Sequence, residues 1–128
     1  MKYLLDTHTF LWLLNAPELI PDRVLNIVKD PSATVLVSLV VPWEIAIKAK
    51  TGKLETGGIL DDFETQVTRA KYEILPMTVQ QVIRGGSLPL HHRDPFDRLL
   101  IAQSFELSCP ILSNDPLFDL YSAVRIWD

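Results

Sequence analysis

The stretch VLVSLVVPWEIAIKAKTGKL, residues 35–54, decides the fold. Val35 to Leu39 is apolar and rich in β-branched residues, the composition of a strand buried on both faces of a parallel sheet. Pro42 suits the first turn of a helix and Gly52 suits its C-terminus. A buried strand therefore feeds directly into a helix, and the acidic residue Glu44 falls in the expected first turn.

The same alternation extends outward in both directions. Upstream, Tyr3 to Leu5 reads as a short buried strand ending at Asp6. A short helix over Phe10 to Leu14 follows and stops near Asn15 and Pro17, and a second helix runs from Pro21 to Lys29. Downstream, Ile59, Phe63, Val67 and Ala70 share one face of an amphipathic helix. Tyr72 to Leu75 reads as a strand, and Thr78 to Arg84 as a helix closed by Gly85-Gly86. Asp94-Pro95 opens a strongly apolar helix reaching about Leu107. Pro110 to Leu112 is a strand, Asp115-Pro116 opens a further short helix, and Val124 to Trp127 is the last strand. Strands alternating with helices predict an α/β domain whose mostly parallel sheet is covered on both faces.

Length and charge narrow the class. The 128 residues suit a single domain, 1–128, and 48% apolar residues can supply one core. Sixteen acids against twelve bases give a formal charge of −4, which by itself argues against a nucleic-acid binder. That objection weakens if several acids gather around a divalent cation. Val35 to Val41, the longest dense apolar stretch, is far short of a membrane span. Asp6, Thr7, His8 and Thr9 stand where a signal peptide would be apolar. The lone Cys109 cannot form an intramolecular disulfide, and a cytoplasmic protein is expected.

In a parallel α/β sheet the functional crevice lies beyond the carboxyl ends of the strands. Four acids fall there. Asp6 follows the first strand, Glu44 follows the second long apolar strand, Asp97 lies in the first turn of the helix opened by HHRDPF, and Asp115 follows Ile111-Leu112 after Ser113 and Asn114. Gathered without cations, such carboxylates repel and raise one another's pKa. A hard divalent ion relieves the repulsion and prefers oxygen ligands, and the chemistry it serves most directly is phosphodiester hydrolysis. Structural roles compete with this reading. Asp94 before Pro95 looks like a helix N-cap, with Asp97 closing a capping pattern, and Asp115 before Pro116 has the same explanation. Glu44 near a helix start is favoured by the helix dipole. Asp6 is harder to explain away, because a carboxylate flush against a buried strand is expensive unless something pairs with it.

Four segments together resemble the PIN-domain family, in particular VapC-type toxins of toxin–antitoxin pairs. They are LLDTHTFLWLL, SLVVPWEIAIKAKTGKL, HHRDPFDRLLIAQSFEL and LSNDPLFDLYSAVRIWD, spanning about Tyr3 to Trp127. The resemblance implies a doubly wound α/β/α sandwich and an endoribonuclease dependent on Mg²⁺ or Mn²⁺, with one ion or two. It implies Asp6, Glu44, Asp97 and Asp115 as catalytic metal ligands, with Asp94 as a second candidate in the third segment. Asn114, Pro116 and the Val41-Pro42 pair depart from the commonest family pattern without removing an acid.

Thr7 and Ser38 carry hydroxyls able to orient a carboxylate or a water, or to serve turns and strand ends. Arg98, Arg93, Lys48, Lys50 and Lys53 are the candidate contacts to RNA phosphates, against the ordinary reading of a solvated face. His8 is expected to pack near the site or bond backbone, and His91 and His92 to be loop residues, since hard-metal sites do not need histidine. An apolar groove near Trp12, Leu13, Leu14 and the Ile59–Phe63 face is expected to accept an antitoxin segment, and the family resemblance implies a homodimer. A phosphoaccepting receiver domain is also small, acidic and α/β. It is disfavoured because Thr7 rather than a second acid follows Asp6, and no Lys occurs after Lys71. A catalytically silent PIN fold that binds RNA or protein is the alternative function, and retention of all four acids argues against it.

Overall fold

The computed structural model describes residues 1–54 and 57–128. Five strands form one parallel sheet: β1 (Lys2–Leu5), β2 (Thr34–Ser38), β3 (Glu73–Leu75), β4 (Ile111–Leu112) and β5 (Arg125–Ile126). Their order is β3-β2-β1-β4-β5. The chain winds outward from β1 in one direction through β2 and β3. It then crosses back to continue on the other side through β4 and β5. With right-handed crossovers, this reversal places helices on both faces and opens a crevice between the carboxyl ends of β1 and β4.

The central register pairs Leu4 with both Leu36 and Ile111, and Leu5 with Leu112. All of these side chains are buried. Phe10, Val37, Ile45, Leu100, Ile101 and Phe118 complete the middle of the core without measurable exposure. At about 25 cal/mol per Å² of buried apolar area, side chains of this size supply most of the favourable free energy of folding. They also fix the sheet edge on which the acids stand.

The helices are α1 (Thr7–Asn15), α2 (Asp22–Lys29), α3 (Val40–Lys50), α4 (Phe63–Arg69), α5 (Val79–Ser87) and α6 (Pro95–Leu107). Short 3₁₀ turns cover Pro17–Leu19 and Pro116–Tyr121. Four elements differ from the sequence reading. The first helix starts at Thr7 rather than Phe10, because the Asp6 side chain caps it. The third starts at Val40 rather than Pro42, which moves Glu44 from the first turn to the second. Ser38 at the strand end accepts the Val40 amide at 3.1 Å, so strand passes to helix without a loop, and Pro42 still lies where a missing N–H costs nothing.

The third difference concerns Ile59. Helix α4 begins only at Phe63, after turns in which Gly57 and Gly58 have positive φ. Ile59 and Phe63 are core residues, with the Phe63 ring 5.3 Å from Phe10, and are not part of a docking face. Fourth, Gly85-Gly86 does not close α5, which continues to Ser87. Gly85 is a contact glycine instead: a Cβ there would lie 3.1 Å from Leu99 Cα on α6. Gln103 of α6 adds bonds to Gln81 and to the Pro76 carbonyl, locking the two helices together. Among the described residues no helix is long and apolar enough to cross a membrane.

Candidate active site

The fold brings the four predicted acids, and Asp94 with them, to one cleft of about 420 Å³ at the crevice between β1 and β4. Three of the acids are helix caps as well as cleft residues, and Asp94 and Asp115 divide the two roles between their oxygens. Asp6 accepts the Thr9 amide on Oδ1 at 2.9 Å and the Ser113 hydroxyl on Oδ2 at 2.6 Å. Asp94 accepts the Phe96 amide on Oδ1 at 2.8 Å, and its Oδ2 lies 4.0 Å from the Lys48 ammonium. Asp115 accepts the Leu117 amide on Oδ1 at 3.0 Å, and its Oδ2 lies 3.1 Å from His92 Nε2. A cap needs one oxygen, so cap and cleft residue are compatible. Capping also fixes each carboxylate's orientation and adds the partial positive charge of a helix start.

Glu44 is almost fully buried, and its two oxygens are taken by different donors. Thr7 Oγ1 donates to Oε1 at 2.5 Å, and Lys48, one turn later on α3, pairs with Oε2. Asp97 does not close a capping pattern on α6. The Asp94 amide instead points to His92 Nδ1 at 3.3 Å, and the Asp97 Oδ2 faces His92 Nε2 at 2.8 Å.

The electrostatic balance is lopsided. Burial pushes the Asp97 carboxyl up from 3.8 to about 8, and the charges of Asp94, Asp6, Glu44 and Asp115 push the same way. Burial also raises Asp6, and hydrogen bonds from Ser113 and Thr9 recover part of that rise. Burial depresses the Lys48 ammonium, but the bond to Glu44 and the charges of Glu44, Asp94 and Asp97 outweigh it, leaving its pKa raised. Lys48 is the one Lys or Arg paired with these acids among the described residues. An acid that stays protonated near neutral pH for lack of counter-charge marks a place that a cation would stabilise.

The remaining predicted residues separate clearly. Thr7 is buried against Glu44, whereas the Ser38 hydroxyl serves the start of α3. Lys48 lines the cleft; Lys50, Lys53 and Arg93 are exposed and lie outside it. Arg98 is bound to backbone carbonyls, with Nε on Gly85 O at 3.2 Å and an Nη on His92 O at 3.3 Å. His8 lines the cleft and packs on Trp12 at 5.9 Å.

Two residues matter more than their sequence context suggests. Ser113, fully buried, donates to Asp6 and accepts the Asp115 amide at 3.0 Å, so one hydroxyl joins two of the acids. The available signal was its place one residue beyond the strand paired with β1. His92 lies in a loop as expected, yet it is buried with its ring between Asp97 and Asp115. No periodicity marks a buried loop histidine, and its burial depends on Tyr121, whose hydroxyl accepts the His92 amide at 2.7 Å and donates to Pro89 O at 2.5 Å.

A doubly wound parallel α/β domain with a carboxylate cleft at its strand reversal is the class these features define. The PIN domain family model matches residues 3–123. The chain belongs to the PIN domain family.

Solved structures agree on the fold. The chain is similar to VapBC2 from Rickettsia felis, in a complex bound to a DNA fragment from their promoter, with a TM-score of 0.70, 17% identity and 100% of both chains covered. It is also similar to VapBC-1 from nontypeable Haemophilus influenzae, with a TM-score of 0.68 and 17% identity over 98% of this chain and 97% of the other. FitAB bound to the IR36 DNA fragment matches with a TM-score of 0.61 and 17% identity over 97% and 93%. Comparison with curated proteins gives no significant sequence relative.

Proposed function

We propose that this protein is a metal-dependent endoribonuclease and the toxin of a toxin–antitoxin pair, working in the cytoplasm. The observation that carries the reading is the cleft itself: five carboxylates from four separate parts of the chain around one paired ammonium, with Asp97 lifted to about 8. Membership of a family that is typically nucleolytic supports the same chemistry. The donor set fits Mg²⁺ or Mn²⁺, because hard divalent ions take carboxylate oxygens and their charge offsets the repulsion.

Asp6, Glu44, Asp97 and Asp115 are the residues that would hold one or two ions, with Asp94 beside them. When bound, such an ion acidifies water and stabilises charge on a phosphoryl group. The chain's own residues supply the order. Ser113 and the Thr9 amide orient Asp6, Thr7 orients Glu44, and the caps of α6 and the last 3₁₀ turn hold Asp94 and Asp115. Lys48 stands where a backbone phosphate entering the cleft would meet a positive charge, and the exposed Lys50, Lys53 and Arg93 extend that field along the RNA. Arg98 contributes by fixing the loop that carries His92.

Partners have two candidate surfaces. An apolar groove of about 580 Å³ includes Leu13, Leu14, Leu25, Val28 and Tyr72 and suits an antitoxin segment. Leu39, Trp43 and Ile47 stand exposed at intervals of four from the start of α3, a stripe suited to a homodimer.

The test is cleavage of a mixed structured-RNA pool by purified protein with Mg²⁺, Mn²⁺ or EDTA, beside Asp6→Ala and Asp97→Asn. The expected result is metal-dependent cleavage, lost in both variants with their folds intact, giving 5′-phosphate and 3′-hydroxyl ends. Cleavage indifferent to EDTA, or products ending in a 2′,3′-cyclic phosphate, would refute the mechanism. Metal binding without cleavage of any RNA would instead identify a silent binding module.

A further inference from the structure

We propose that His92 is itself a ligand, so that Asp97, Asp115 and His92 form a mixed nitrogen–oxygen position that favours a transition-metal ion over Mg²⁺. The inference rests on the metal-dependent reading of the cleft and adds to it a nitrogen donor and a metal preference.

The argument starts from geometry. His92 Nε2 lies 2.8 Å from Asp97 Oδ2 and 3.1 Å from Asp115 Oδ2. One ligand atom from each of the three residues lies within 4.8 Å of the other two. Adjacent ligands of an octahedral ion with bonds of about 2.1 Å stand about 3 Å apart, and opposite ones about 4.2 Å. His92 Nε2 therefore already stands at the spacing of a neighbouring ligand from each of the two carboxylates.

The second argument is rigidity. The His92 backbone is held by Tyr121 on its amide and by Arg98 on its carbonyl, and the ring packs at 6.0 Å from Phe118. Asp97 lies in the first turn of α6, and Asp115 is fixed by its cap on the Leu117 amide. A buried ring held by bonds at both ends of its residue, with its outer nitrogen aimed between two carboxylates, is the arrangement of a preformed ligand.

The Asp94 amide faces His92 Nδ1 at 3.3 Å, the longest contact around the ring. Ligation through Nε2 would place the ring N–H on Nδ1, and this long contact is the one given up. Imidazole nitrogen raises affinity for later first-row ions, whereas Mg²⁺ favours oxygen and retained water.

The test uses Mn²⁺, Co²⁺ and Mg²⁺ with the full chain. Pulsed electron paramagnetic resonance of the Mn²⁺-loaded protein reads directly whether an imidazole nitrogen is coordinated. The expected result is a ¹⁴N coupling that persists in His8→Gln and His91→Gln and disappears in His92→Gln. Calorimetric titration should show His92→Gln weakening Co²⁺, a later first-row ion, about tenfold or more while changing Mg²⁺ by less than about threefold. Bound Mn²⁺ with no nitrogen coupling in the unaltered protein overturns the role of His92 and leaves the nuclease reading standing. A coupling that survives in His92→Gln but vanishes in His8→Gln assigns the nitrogen to the other cleft histidine and also overturns it. Failure of all three ions to bind refutes both readings together. The spectrum of the unaltered chain decides the matter even where His92→Gln does not fold.

Discussion

Replacing Asp97 by Asn is expected to stabilise the metal-free protein while removing its response to metal. The carboxyl titrates at 3.8 in an unfolded chain and at about 8 in the fold. Between those values the unfolded chain has released this proton and the folded chain still holds it. Stability from this group is therefore complete below pH 3.8 and is lost as pH rises toward 8, at ~1.4 kcal/mol per pH unit. At pH 7 the accumulated loss is about 4 kcal/mol, an upper figure, because side-chain relaxation and entering water reduce it.

Asn is neutral at every pH and keeps the size of the side chain facing His92 Nε2, so it avoids the loss without creating a cavity. A gain of roughly 1.5–4 kcal/mol at pH 7 follows, which at a urea slope of about 2 kcal/mol/M moves the midpoint by roughly 1–2 M. The assay is urea unfolding in EDTA at pH 5 and pH 7.5, repeated with Mn²⁺. The unaltered protein should weaken between the two pH values more steeply than Asp97→Asn, and should recover with Mn²⁺ as binding favours the folded state. A variant less stable than the parent in EDTA at pH 7.5, or equal pH slopes for the two proteins, would refute the reasoning.

Three further outcomes are expected. Ser113→Ala removes the donor to Asp6 Oδ2 and should cost about 1–2 kcal/mol of stability and about tenfold in metal affinity, read by thermal melting and calorimetry. Lys48→Met should weaken RNA binding and lower the slope of log affinity against log salt by about one, measured by fluorescence anisotropy in EDTA; an unchanged slope would exclude a phosphate contact. Gly85→Ala forces a Cβ against the α6 backbone at Leu99, so a loss of about 1–3 kcal/mol is expected on melting, whereas the same change at Gly86, where nothing lies within 4 Å, should be harmless.

The alternating strands and helices were legible because the central strands hold compact apolar runs and most helices carry a period or a proline near the start. The order β3-β2-β1-β4-β5 then places Asp6 and Asp115 beside one another, since they follow adjacent strands. Element boundaries were less legible where a distant partner sets them. Ile59 shares the spacing of a helix with Phe63 and Val67, yet it is buried from a turn, because packing selects an apolar side chain whatever backbone carries it. Gly85 reads as a helix stop, but its role is the close approach of a second helix.

By itself the sequence determined which residues are acidic, and that they fall beyond strand ends, because local order fixes both. It also made helix cap and cleft residue look like rival roles for Asp94 and Asp115. Only the tertiary structure decided that they coexist, since that depends on which way the second carboxylate oxygen faces. The same holds for His92 and Ser113. A loop histidine and a small hydroxyl carry no periodic signal, and their work depends on groups far along the chain: Tyr121 holding His92 between Asp97 and Asp115, and β4 lying beside β1 to bring Ser113 to Asp6. Local chemistry is written residue by residue, whereas the electrostatics of a cleft depends on distances that exist only once the chain has closed on itself.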